Sequence, residues 1–239
     1  LTTSSAASDV YKRQVILMDK IFTKNIEHES AVKHVTGKAI YTDDISEPKN
    51  LLHAVIGYSN CSKGVIKKID YKDVLSSEGV VDIITEKDIE GINDVGPIFK
   101  GDKIFTSKNI EYYGQPIFAV IAKTNNLAKK AALKVKIDLK ISKPIVSIEE
   151  ALKKKSFVLK PKHLTRGNIK DGFKRSENFL KGKLYSGGQD HFYLEGQIAM
   201  TIPQEDNNFL VYSSTQHPSE TQQIIGKVLK QNYNSCLLY

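Results

Sequence analysis

The sequence predicts an α/β (α+β) fold in two parts, and three observations predict it. Strand-length apolar runs alternate with helix-period runs between about Asn50 and Leu139. The pattern breaks at Lys143-Pro144 and stays polar and irregular through Pro161, Gly167 and Gly172. From Phe179 the chain changes to longer strand-like runs closed by one helix.

The elements follow in order. Leu51 to Tyr58 and Gly64 to Asp70 read as strands, Tyr71 to Leu75 as a helical turn, and Val80 to Thr85 as a buried strand. The clearest unit is a strand over Pro116 to Ala122, a helix over Asn125 to Lys134 and a strand over Val135 to Leu139. Leu127, Ala128, Ala131, Ala132 and Val135 share one face of that helix and should pack on the sheet, with Lys129, Lys130 and Lys134 off it. Ile148 to Lys155 makes a short amphipathic helix, and Phe157 to Gly172 an irregular connection. Beyond it, Phe179 to Tyr185, His191 to Ile202 and Phe209 to Ser213 read as strands, with a turn at Pro203 to Asn208. His217 to Leu229 reads as the closing helix, with Pro218 in its first turn and Glu220 facing the positive end of the helix dipole.

Composition narrows the function. The chain has 239 residues, 40% apolar and 26% charged, an ordinary balance for a globular protein with a core. Its longest apolar runs, such as Ile117 to Ala122, are far short of the roughly 18 to 20 residues a spanning helix needs, so no membrane association is expected. Cys61 and Cys236 are too few and too far apart for a disulfide framework, a zinc site or an iron–sulfur cluster, which points to the cytoplasm and puts any redox cluster on a partner. The net charge of +8 is scattered, with Lys153-Lys154-Lys155 its only dense run and no aromatic platform beside it, so no nucleic-acid partner is expected. The ends read as foreign: residues 1–17 as a non-native leader before Met18, and 236–239 as a non-native tail on a chain cut short near Asn234.

One stretch stands out chemically: Gly187, Gly188, Gln189, Asp190, His191, Phe192, Tyr193, Leu194 and Glu195. Two glycines let the backbone approach a bound group closely, and an uncharged amide follows, able to donate and accept hydrogen bonds without altering the local charge. The alternation of Phe192 and Leu194 with Tyr193 and Glu195 reads as a strand with one buried face. On such a strand Asp190 and His191 point oppositely, and the His191/Glu195 spacing is no metal motif, so structural roles are expected for Asp190, His191 and Glu195. His217, at a helix start, reads as a cap. No P-loop, G-x-G-x-x-G fingerprint or nucleophile elbow occurs, so flavin and nicotinamide binding are not encoded here.

That nine-residue run resembles the one facing the metal in the molybdopterin-binding subunit of bacterial xanthine dehydrogenases and the related aldehyde oxidases. Four more runs match in family order: Val35 to Ile45, Asn93 to Ile98, Tyr113 to Pro116, and Ser213 to Glu220. The resemblance spans roughly residues 28 to 230. It implies a hammerhead-like α/β domain over 28–140, a connection over 141–162, and the first segment of a larger molybdopterin-binding domain over 163–235. It implies a molybdenum–molybdopterin cofactor lying against Gly188 and Gln189, with Gln189 the residue at the metal. For the complete enzyme it implies oxidation of a purine, hypoxanthine or xanthine, toward urate. Electrons would pass to 2Fe–2S clusters and FAD on a partner subunit and on to NAD, in a hetero-oligomer. An aldehyde substrate is the alternative, and a non-catalytic basic binding module the remote one. Where the family has Arg-Gly-Asp this chain has Arg166-Gly167-Asn168, to which no function is attached. The family's catalytic base and substrate-orienting arginine fall beyond residue 239, so no catalytic residue is assigned and the chain alone is expected to be inert.

Overall fold

The computed structural model describes residues 27–238. The expected leader over 1–17 lies outside them. The chain divides into two compact units, Leu1–Ile45 and Ser46–Tyr239.

In the first unit the helix α1 spans Ala31–Val35. Gly37, at φ +69°, supplies the left-handed residue that ends it, while the Thr36 hydroxyl donates back to the Val32 carbonyl at 2.6 Å. Tyr41 and His34 meet through the Tyr41 hydroxyl and the His34 Nδ1, 3.2 Å apart, and the Asp44 carboxylate accepts from the Tyr41 amide at 3.0 Å. The Val35-to-Ile45 run is thus a self-capped turn.

The second unit contains three small sheets. Strands β1 (His53–Tyr58), β3 (Val80–Ile84) and β5 (Pro116–Ala122) form an antiparallel sheet in the order β1-β5-β3. Strands β2 (Gly64–Asp70), β4 (Asn109–Ile110) and β6 (Lys136–Ile141) form another, in the order β4-β2-β6. Helix α2 spans Lys72–Leu75 and α3 spans Asn125–Ala132. The Thr124 hydroxyl accepts from the Leu127 amide at 3.3 Å to start α3, which buries Ala128 and Ala131 as its apolar face predicts. β5 is the central strand and is buried along nearly its whole length. Its Phe118 is fully enclosed, contacts Tyr71 edge-on at 5.2 Å, and stands opposite Gly57 in the β1–β5 register. Burying such a ring contributes about 1.5–3 kcal/mol. Burial also pushes the Tyr71 phenol up to about 12, with the nearby Asp88 carboxylate adding to the effect.

Between β3 and β4 the Asn93-to-Ile98 run closes a loop. Asn93 makes a reciprocal pair with Phe105, its Nδ2 donating to the Phe105 carbonyl at 2.8 Å and its Oδ1 accepting from the Phe105 amide at 3.1 Å. The Asp94 carboxylate accepts from the amides of Gly96 and Gly101 at 2.8 and 2.6 Å, which holds its carboxyl below the usual range. The Tyr113-to-Pro116 run turns the chain into β5. There the Gln115 Oε1 accepts from the Glu111 amide at 2.8 Å and the buried Ser59 hydroxyl accepts from the Gln115 amide at 3.1 Å.

The later part departs from the sequence expectation in four places. Helix α4 spans Ile148–Lys153 as expected, but a helix α5, Ile169–Arg175, emerges within the stretch read as irregular. Asn168 starts it, its Oδ1 accepting from the amides of Lys170 and Asp171, so the residue in the altered Arg-Gly-Asn triplet is a helix cap. The strands expected over Phe179 to Tyr185 and over His191 to Ile202 are not formed, apart from β7 at Ala199–Pro203. A strand needs a neighbour for its amides and a surface for its apolar face, and the described residues supply neither there: Phe179, Leu184, Tyr185, Phe192 and Leu194 are exposed. β8 spans Phe209–Ser213 as expected. Finally, Cys236–Leu238, set aside as a tail, forms β9, parallel to β8 in the order β7-β8-β9. Helix α6, Pro218–Leu229, carries the chain back to place it there, and the Gln222 side chain donates to the Cys236 carbonyl. Cys236 is buried, and burial pushes its thiol up. Among the described residues no helix is long and apolar enough to cross a membrane.

Candidate functional site

The run Gly187 to Glu195 is displayed rather than enclosed. Residues 178–198 carry no helix or strand, and Gln189 is exposed. A Cβ built on Gly187 or Gly188 would meet no other atom within 4 Å, so here the two glycines leave the main chain open to a large group. Expected burial of Phe192 is not found: it is 93% exposed and sits at φ +49°, a left-handed turn that breaks any strand alternation.

Asp190 and His191 are exposed and make local contacts within the run. The Asp190 carboxylate accepts from the His191 amide at 2.8 Å, and the His191 ring stacks on Tyr193 with centroids 6.1 Å apart. The Gln197 amide donates to the Tyr193 hydroxyl at 2.9 Å. Among the described residues no group of three or more His, Cys, Asp or Glu side chains is arranged to hold a metal ion.

Ser214 is the residue that sequence reasoning passed over. Its hydroxyl donates to the Gly196 carbonyl at 3.0 Å and accepts from the Ile198 amide at 3.2 Å. It therefore ties the glycine-glutamine run to the Ser213-to-Glu220 run, two motifs that the sequence keeps apart. The only sequence signal was that both runs belong to one ordered set. The capping role expected of His217 is also reassigned, because its side chain makes no cap bond. The Thr215 hydroxyl takes the His217 amide at 3.1 Å, and the Thr221 hydroxyl donates to the His217 carbonyl at 3.0 Å.

These residues leave one open wall, with room for a bulky group against the main chain. The wall offers a neutral amide at Gln189 and open main chain at Gly187 and Gly188, with the neighbouring Asp190 carboxylate already occupied by a backbone donor.

Comparison with known proteins agrees in both parts of the chain. Residues 36–143 match the family model of the aldehyde oxidase and xanthine dehydrogenase a/b hammerhead domain, and residues 150–236 match that of the molybdopterin cofactor-binding domain. These matches define the class as molybdenum hydroxylases. The chain belongs to the xanthine dehydrogenase and aldehyde oxidase family.

Among its relatives, a xanthine dehydrogenase of Dictyostelium discoideum is 35% identical over 98% of this chain, which covers 18% of that protein. Aldehyde oxidase 1 of Bos taurus is 36% identical over 90% of this chain and is covered for 16% of its length. The chain thus spans less than a fifth of these relatives. The solved structure of the aldehyde oxidoreductase from Desulfovibrio gigas superposes with a TM-score of 0.77 at 25% identity, covering 88% of this chain and 25% of that one. Quinoline 2-oxidoreductase from Pseudomonas putida shares the fold, with a TM-score of 0.75 at 17% identity over 89% of this chain and 29% of that one.

Proposed function

We propose that this chain forms the hammerhead and first molybdopterin-contacting segment of a xanthine dehydrogenase-type hydroxylase that oxidises hypoxanthine and xanthine toward urate. The observation that carries the site is the exposed Gly187-Gly188-Gln189 run, with open space over both glycines and its C-terminal flank tied down by Ser214. In this reading the Gln189 amide donates to and accepts from the cofactor without adding charge, so it orients the group and leaves its charge balance intact. Gly187 and Gly188 let the backbone come within hydrogen-bonding reach. The molybdenum–molybdopterin group, when bound, supplies the two-electron chemistry. We also propose that electrons pass to a partner iron–sulfur/FAD subunit and on to NAD, in a cytoplasmic hetero-oligomer.

An aldehyde is the second reading, supported by the bovine aldehyde oxidase and the D. gigas aldehyde oxidoreductase standing among the relatives. The test is Gln189→Ala in the complete subunit, measured for metal content and for turnover of xanthine and of an aldehyde. Turnover should fall about 10- to 100-fold at unchanged metal content. Full turnover in a metallated variant would sink the role given to Gln189, and a preference for the aldehyde would replace the purine reading with the second one.

A further inference from the structure

Helix α6 has an unusual C-terminal end. The carbonyls of a last helical turn lack partners within the helix and must find donors elsewhere. In α6, Lys230 adopts a left-handed conformation at φ +54°, and the Gly226 carbonyl accepts from the amides of Lys230 and, at 2.9 Å, Gln231. The next two carbonyls are taken by the other half of the chain. The Ile92 amide donates to the Lys227 carbonyl at 3.1 Å, and the Gly91 amide donates to the Val228 carbonyl at 2.9 Å. A Cβ at position 91 would overlap the Lys227 carbonyl oxygen, so the approach requires glycine for space and not for backbone conformation.

The contact continues inward. Ile92 is followed by Asn93, whose side chain grips both backbone groups of the buried Phe105, and the adjoining Thr106 amide donates to the Pro116 carbonyl of β5 at 3.0 Å. At its other end α6 is fixed by the Thr215 and Thr221 hydroxyls, 3.1 Å apart, around His217. The helix is therefore a strut between the central strand of the first sheet and the turn that follows β8.

We infer that Gly91 and Ile92 form the joint seating the hammerhead portion on the molybdopterin-binding portion, with Asn93 the positioning residue that ties this joint to β5. The partner surface is the carbonyl end of α6. The joint explains why an Asn-Asp-Val-Gly-Pro run with no acid–base or ligand role belongs to the ordered set of motifs: its first residue anchors the joint and the rest closes the loop behind it.

Amide hydrogen exchange on the full chain tests this. In the native chain the amides of Gly91 and Ile92 should be protected although they lie in a loop, whereas exchange at an open-loop rate would overturn the joint whatever any variant does. Gly91→Ala should raise exchange at Ile92 about tenfold or more and leave Ile117 to Ala122 of β5 protected. Asn93→Ala should release Gly91, Ile92 and Phe105 together. Gly172→Ala, where a Cβ meets open space, should change none of these amides. Unchanged protection at Ile92 in Gly91→Ala would refute the inference. So would protection lost equally through β5, which would make Gly91 a core residue and not a joint.

Discussion

The Gly57→Ala substitution is the sharpest test of the core. Gly57 lies opposite Phe118 in the β1–β5 register, and a Cβ there would sit inside the van der Waals envelope of three ring carbons, Cζ, Cε1 and Cε2. The ring cannot yield cheaply, because it is fully buried and held edge-on by Tyr71. Forcing extra volume into a packed core costs about 1–3 kcal/mol, and the loss of glycine's unfolded-state freedom returns only about 0.4–1 kcal/mol. A net destabilisation of about 1–2 kcal/mol is expected, since the Phe118 ring must leave its rotamer as well. Phe118→Leu alone should also destabilise, by removing ring contacts. The two changes together should cost less than their sum by about 1 kcal/mol, because the smaller side chain vacates the space the new methyl needs. Urea unfolding of the four chains, followed by circular dichroism, measures this cycle. Strict additivity, or a Gly57→Ala chain within about 0.5 kcal/mol of the parent, would refute the packing argument.

Two further outcomes follow. The Tyr71 phenol titrates near 12 in the folded chain, above its ordinary value, so the stability it contributes is complete below about 10 and is lost as pH rises toward 12. Comparing phenolate absorbance and unfolding midpoints of Tyr71→Phe with the parent checks both halves, and a pH dependence unchanged by the substitution would count against it. Ser214→Ala removes the link to Gly196 and Ile198, at about 0.5–1.5 kcal/mol per hydrogen bond, and should speed limited proteolysis within residues 187–198 while β5 stays protected. Unaltered cleavage would show that Ser214 does not hold the run.

How much was legible in the sequence depends on where each segment finds its partners. Local signals and tertiary environment agree best at the centre: Pro116 to Ala122 is apolar throughout and central, and the apolar face of α3 packs where its period directs, whereas β3, read as a buried strand, exposes Val81, Asp82 and Ile84, and the two-residue β4 carried no strand signal. Asn168 was legible in principle, as a capping residue with Asp171 in the following turn, but its place in an altered triplet drew the reading toward that triplet. β9 was not legible, because a three-residue parallel strand is defined by where α6 delivers it and by nothing in its own composition.

The glycine-glutamine run shows a different kind of limit. Its alternation of large and polar residues is a real strand signal, yet a strand is a relation between chains of backbone groups and not a property of one of them. Within these residues Phe192 turns left-handed and Leu194 faces solvent, while Ser214 fixes only the C-terminal flank. Among the described residues, no helix or strand engages Gly187 to Gln189, whose exposed main chain is unlike that of a run already committed to a sheet. In the proposed function, the feature that defeats the secondary-structure reading is also the one the cofactor uses, because only uncommitted backbone can be offered to a ligand.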